Sequence, residues 1–178
     1  MRKLKNSELD RLSVPEFRKA DKIPVVVVLD NVRSLNNIGS VFRTADAFLI
    51  ERIMLCGITA RPPHKDIHKT ALGATDSVDW QYFPETSEAV RILQKEGYTI
   101  VAVEQTENSI GLDEFPFAGE KKYAFVFGHE IRGVQQEIVD LSDLSLDIPQ
   151  FGTKHSLNIS VCAGMVLWEA FKSLHPKP

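Results

Sequence analysis

Residues 25–43 read Val25-Val26-Val27-Val28-Leu29-Asp30-Asn31-Val32-Arg33-Ser34-Leu35-Asn36-Asn37-Ile38-Gly39-Ser40-Val41-Phe42-Arg43. The stretch opens on five aliphatic residues in a row and closes on Ile38, Val41 and Phe42, which recur at helical spacing. An unbroken apolar run of about five residues before turn residues is a strand buried on both faces, and the spacing after it is a helix with one face inward. Strand, polar turn and helix in that order form the unit of a parallel sheet.

The unit repeats along the chain. The pattern predicts strand 25–30, helix 37–49, strand 52–56, a Pro/His/Lys loop with a short helix to Leu72, and strand 78–83. It continues with helix 86–96, strand 99–103, a loop to Lys122, strand 123–127, helix 134–141, strand 144–148 and helix 156–174. The expected fold is α/β, a mostly parallel sheet flanked by helices on both faces. Residues 1–22 form a short basic segment of one or two helical turns, and the domain occupies 23–178.

Three polar clusters each follow an apolar run: Asn36 to Arg43, Gly128-His129-Glu130-Ile131-Arg132-Gly133 after Tyr123 to Phe127, and Ser156-Leu157-Asn158 after Leu144 to Ile148. Open α/β sheets bind ligands beyond the carboxyl ends of their strands, so one crevice is expected to gather all three.

Composition bounds the rest. The chain of 178 residues, 43% hydrophobic and 25% charged, has the size of one domain and the make-up of an ordinary globular protein. Its two cysteines, Cys56 and Cys162, sit in apolar stretches far apart, so they read as buried thiols in a reducing compartment and not as a metal pair. The first 22 residues carry eleven charged side chains, too many for a secretory segment, and no apolar run approaches the ~18 residues of a membrane span. A cytoplasmic protein without a membrane partner is expected.

The net charge of −3 argues against bulk coating of a polyanion. Charge is nevertheless uneven: residues 1–22 hold seven Lys/Arg against four Asp/Glu, and Arg61 to Lys69 holds three Lys/Arg and two histidines against one acid. Either tract is a solvated face or a local phosphate-binding patch.

In the first cluster, Asn37 reads as an N-cap or as a ligand contact, and Arg43 follows on the polar stripe beside Asn36 and Ser40, where a guanidinium takes an anion bidentately. In the second, Gly128 lets a flat ligand approach the backbone and Glu130 projects from a tight loop. The glycines there do not make a dinucleotide fingerprint. In the third, Ser156 reads as the N-cap of the last helix, with Asn158 buried in its first turn and in need of partners. No nucleophile elbow surrounds Ser156, so a hydrolase triad is disfavoured. His64, His68, His129 and His155 have no convergent ligand spacing, and no metal is expected. The last helix is apolar nearly all round, through Ile159, Val161, Cys162, Met165, Val166, Leu167, Trp168 and Phe171, which predicts a homodimer.

Together the three clusters resemble the motifs of the SpoU, or TrmH-like, family of SPOUT-class RNA methyltransferases. Asn37 and Arg43 match the family's Asn-x5-Arg pair followed by Thr-Ala, Glu130 its Gly-x-Glu-x-x-Gly, and Ser156 and Asn158 its Ser-Leu-Asn. Lys69-Thr70-Ala71-Leu72-Gly73-Ala74 is similar to an intermediate Lys-x-x-x-Gly-Ala segment. The resemblance runs from about Pro24 to Phe171. It implies a C-terminal trefoil knot, S-adenosylmethionine as cofactor against Phe127, Gly128, Ile148, Gln150 and Leu157, and methyl transfer to a ribose 2′-hydroxyl of tRNA or rRNA. It also implies an active site completed across a dimer.

By the same resemblance Asn37, Arg43, Glu130, Ser156 and Asn158 are the catalytic set, with the arginine activating the hydroxyl. Bringing any arginine from about 12.5–13.8 to near 7 costs roughly 8 kcal/mol, so a phosphate and oxyanion clamp is the favoured role for Arg43. Two other readings stand beside this one, a non-catalytic RNA- or adenosine-binding module of the same fold and a knotted methyltransferase acting on an RNA base.

Overall fold

The computed structural model describes residues 1–175. In chain order the elements are α1 (Val14–Lys19), β1 (Ile23–Asp30), α2 (Leu35–Ala47), β2 (Ile50–Cys56), α3 (Lys65–Ala71), α4 (Ala74–Ser77) and β3 (Asp79–Phe83). They continue with α5 (Thr86–Lys95), β4 (Tyr98–Val103), β5 (Ile110–Gly111), β6 (Lys122–Phe127), α6 (Gln136–Leu141), β7 (Leu144–Asp147) and α7 (Ile159–Leu174). The seven strands form one sheet in the order β3-β2-β1-β6-β4-β7-β5, and every pairing is parallel.

The aliphatic run that opened the sequence is the central strand. Val25, Val27 and Leu29 face a core shared with α2 and α7, whereas Val26 and Val28 face a second core with α5 and α6. Both faces of β1 are therefore buried, which is why the strand carries no polar alternation. The chain runs β1 to β2 to β3 toward one edge and places β6, β4 and β7 on the other side of β1. Strand order reverses beside β1, the topological position where α/β sheets open a crevice at their carboxyl ends.

Two departures from the predicted elements have physical causes. The two-residue strand β5 lies inside the predicted loop 104–122, where Ile110 pairs with Leu146; two residues carry no periodicity to read. The N-terminal segment is also part of the packed body. Phe17 is buried in the main core, and Arg18 donates to the Asp76 carbonyl of α4 at 2.6 and 3.1 Å.

The approach of α3 to α2 depends on Gly39, because a Cβ there would lie 2.1 Å from Thr70 Oγ1 and 2.3 Å from the Ile67 carbonyl. Thr70 Oγ1 also donates to the Asn36 carbonyl at 3.1 Å, fastening the short helix to the first turn of α2. α7 contacts both α2 and β1. Because β7 is separated from β1 by β6 and β4, residues 148–158 must cross the carboxyl ends of those strands, about 14 Å at ~4.8 Å per strand.

Candidate functional site

The loops following β4, β6 and β7 enclose a cavity of about 540 Å³, closed on one side by Cys162 of α7. The loop after β6 folds back on itself: the His129 amide donates to the Gly133 carbonyl at 3.0 Å and the Gly133 amide to the His129 carbonyl at 2.8 Å. This closure requires Gly128, since a Cβ there would fall 2.1 Å from both the Gly133 carbonyl carbon and the Val134 nitrogen. His129 Nδ1 accepts from the Ile131 amide at 3.0 Å, so the ring serves the loop's shape.

Three carboxylates tie the loop down. Glu104, at the end of β4, accepts from the Val134 amide at 2.9 Å and from the Gln105 amide at 3.0 Å. Asp30, at the end of β1 and fully buried, accepts from the Gln135 amide at 2.9 Å, the Gln135 side chain at 2.8 Å and Thr86 Oγ1 at 2.6 Å. Sequence reasoning missed both acids. The available signal was an acid immediately after a buried strand, where a side chain can satisfy the amides of the neighbouring strand's loop.

Glu130 spans the gap to the first cluster. Its Oε1 accepts from the Ser34 amide at 2.8 Å and from Asn37 Nδ2 at 3.2 Å, and its Oε2 from the Arg33 amide at 3.0 Å. Desolvation raises this carboxyl, but the amides of Arg33, Ser34 and Glu130 itself and the Asn37 side chain outweigh it and hold it below the usual range. On the other side of Asn37, Oδ1 accepts from Asn158 Nδ2 at 3.2 Å. One side-chain amide thus links all three clusters.

The predicted residues fall as follows. Phe127, Gly128, Ile148, Gln150 and Leu157 all line the cavity, as do Glu130, Ser156 and Asn158. Asn37 stands behind the lining, bonded to Glu130 and Asn158. Arg43 is exposed on α2, outside the lining, and has no side-chain hydrogen bond or ion pair among the described residues.

Three local readings are corrected. Asn37 is not the N-cap of α2; Ser34 is, and its hydroxyl accepts from the Asn37 amide at 3.3 Å. Ser156 is not the N-cap of α7 and Asn158 is not buried in its first turn. Asn158 itself is the exposed cap, accepting from the Ser160 amide at 2.9 Å, and Ser156 lies in the preceding loop. The helix begins later because residues 149–158 are drawn across the strand ends.

Cys56 is buried as expected, whereas Cys162 is only half-buried against the cavity. Burial pushes both thiols up to about 12, so Cys162 presents a neutral, weakly polar wall and not a thiolate. No group of three His, Cys, Asp or Glu side chains is placed to hold a metal ion among the described residues. No helix among them is long and apolar enough to cross a membrane.

An all-parallel sheet with its ligand cavity built from three adjacent strand-end loops defines a class of α/β ligand-binding domain. Residues 24–168 match the model of the SpoU rRNA methylase family, and the chain belongs to that family. It is 30% identical over 164 residues to a tRNA (guanosine(18)-2′-O)-methyltransferase of Thermus thermophilus, covering 92% of this chain and 82% of that protein. To the 23S rRNA (guanosine-2′-O-)-methyltransferase RlmB of Neisseria meningitidis it is 29% identical, over 82% of this chain but only 57% of the relative.

Among solved structures, the AdoMet-bound rRNA methyltransferase of Sinorhizobium meliloti superimposes with a TM-score of 0.80 at 26% identity, over 90% of this chain and 61% of the other. The A. aeolicus TrmH/SpoU tRNA modifying enzyme gives 0.78 at 25% identity, over 90% and 81%.

Proposed function

We propose that the chain is an S-adenosylmethionine-dependent RNA methyltransferase acting on a ribose 2′-hydroxyl of tRNA or rRNA. The observation that carries this reading is the Glu130–Asn37–Asn158 network, which links one residue from each of the three clusters beside the cavity. The named 2′-O-methyltransferases among its relatives support the choice of ribose over base.

The cavity fits the cofactor. Its size is within the ~300–1,000 Å³ of small-molecule sites, and Phe127, Leu146, Ile148 and Leu157 give it apolar walls among backbone amides and carbonyls. We assign cofactor contacts to Phe127, Gly128, Ile148, Gln150 and Leu157. When bound, S-adenosylmethionine supplies a methyl group on a sulfonium for in-line transfer to oxygen.

The protein's own contribution is positioning. Glu130 holds the β6 loop against the start of α2, and Asn37, engaged on both its amide atoms, is a positioning residue. Ser156, in the crossing loop, is assigned to the substrate side of the cavity. Arg43 is assigned to an RNA phosphate and to the oxyanion that develops at the ribose, with the proton passing to that phosphate or to water.

We further propose a homodimer and a trefoil knot. Val161, Met165 and Trp168 leave an exposed apolar stripe on α7, the helix that lies against α2, and a second copy seated there would cover it. The crossing of 148–158 over the ends of β4 and β6, beside the closed loop 128–133, supports the knot. Two unpaired thiols fit a cytoplasmic setting.

The test is tritium transfer from labelled S-adenosylmethionine to bulk tRNA and rRNA, followed by complete digestion. Ribose-methylated nucleosides are expected. Methylated base with unmodified ribose would establish the base enzyme instead, and cofactor binding without transfer to any RNA would establish the non-catalytic module.

A further inference from the structure

A second cavity, of about 580 Å³, shares no lining residue with the first. It is formed where the loop after β2 turns into α3 and meets α4 and the edge strand β3. Pro62, Pro63, Ile67 and the half-buried indole of Trp80 make its apolar walls, and Lys65 and His68 stand on its rim. Here lies most of the basic tract 61–69, which the methyl-transfer site does not use.

The wall carries one acid of its own, Asp76, which has no ion pair among the described residues and lies on α4, outside the basic tract. Asp66, the acid of the tract, is neutralised by Lys69 at 2.7 Å. Lys65 has no ion pair among the described residues and is exposed. Arg61 lies with its guanidinium carbon 4.3 Å from the ring centroid of Tyr82, on the same face of β3 as Trp80. From the opposite flank, Arg18 caps the carbonyl of Asp76, a residue of the cavity wall, and so brings the basic end of α1 to its edge. An indole sharing a cavity wall with two prolines, with the free ammonium of Lys65 on the rim and the Arg61 guanidinium on the next aromatic of the same strand, is the chemistry that takes a nucleobase by stacking and its phosphate by charge.

We propose that this cavity is a second RNA subsite, holding one unpaired nucleotide of the substrate with its base against Trp80 and its phosphate on Lys65 and Arg61. The subsite rests on the RNA-methyltransferase reading and extends it, since it gives the basic tract a role in choosing the RNA. On a chain of net charge −3, RNA affinity must come from such local patches.

The experiment uses the full chain and a single-stranded hexaribonucleotide. The protein has two tryptophans, and Trp80→Phe identifies the Trp80 indole N–H resonance in a proton–nitrogen correlation spectrum. Titration is expected to shift that resonance saturably. Lys65→Glu, at an exposed position, and Trp80→Ala are expected to raise the KM for RNA at least about fivefold with kcat and S-adenosylmethionine affinity held, that factor being the low end of what one stacked base contributes. A Trp80 resonance unmoved by RNA that does bind, or an unchanged KM in Lys65→Glu, would overturn the subsite. If RNA is ribose-methylated by protein whose Trp80 does not respond, only the subsite is lost. If Trp80 responds but no ribose is methylated, the subsite stands and the enzymatic reading falls.

Discussion

Glu130 and Asn37, 93 residues apart in sequence, are joined by a 3.2 Å hydrogen bond from the side-chain amide of Asn37 to the carboxylate of Glu130. The same carboxylate holds the Arg33 and Ser34 amides, so a single side chain fixes the β6 loop to the start of α2. Removing it leaves two backbone donors and one side-chain donor without their acceptor.

Glu130→Ala is expected to lower methyl transfer more than tenfold while reducing global stability by about 1–3 kcal/mol, the range for lost hydrogen bonds to a charged group at a half-buried site. Denaturant melts and initial-rate assays on the same preparation check both. A variant with full activity would remove Glu130 from the site's architecture.

The same group sets a pH dependence. Its carboxyl is held below the ordinary value, so the stabilisation is fully present above the unfolded carboxyl range near ~4.3 and is lost as pH falls through the lower folded value. The stability gap between the wild type and Glu130→Gln is therefore expected to be constant from neutral pH down to about 5 and to close below about 4. Melts across that range measure it, and a gap that widens with acid contradicts the assignment.

Gly128→Ala is expected to break the folded-back loop, because the new methyl would overlap the backbone at Gly133 and Val134. A cost of roughly 1–3 kcal/mol and a marked loss of S-adenosylmethionine affinity should appear together in thermal melts and calorimetric titration. Retained affinity would mean that the loop's closure is irrelevant to the cavity.

Arg43→Lys keeps the charge and removes the planar fork. If the guanidinium clamps a phosphate and an oxyanion together, kcat should fall at least tenfold with S-adenosylmethionine binding unchanged. Full activity in this variant would show that bidentate geometry plays no part.

Met165→Glu places a charge in the exposed stripe of α7 between Val161 and Trp168. Sedimentation at micromolar concentration is expected to give a dimer for the wild type and a monomer for the variant. A wild type that sediments as a strict monomer would refute the interface.

Residue type and spacing were enough to define the fold class. A continuous aliphatic run such as Val25 to Leu29 is stable only as a strand covered on both faces, so the parallel sheet and its helices were legible in the chain. Gly128 was legible for a related reason, since it follows β6 directly and the crevice forms at strand ends, whereas Phe127, Ile148, Gln150 and Leu157 were named by the family resemblance.

How the loops are held is set by the assembled fold alone. Glu104 and Asp30 bond to amides about 30 and 105 residues away, and no local pattern encodes such a partner. The late start of α7 at Ile159, with Asn158 as its cap, follows from stretching residues 148–158 over two strand ends, a demand that helix propensity does not contain. The second cavity is likewise a product of assembly. Lys65 was visible in sequence only as one member of a basic tract and Trp80 not at all, and the two gain a common purpose only because β3 is an edge strand and α3 is fastened to α2.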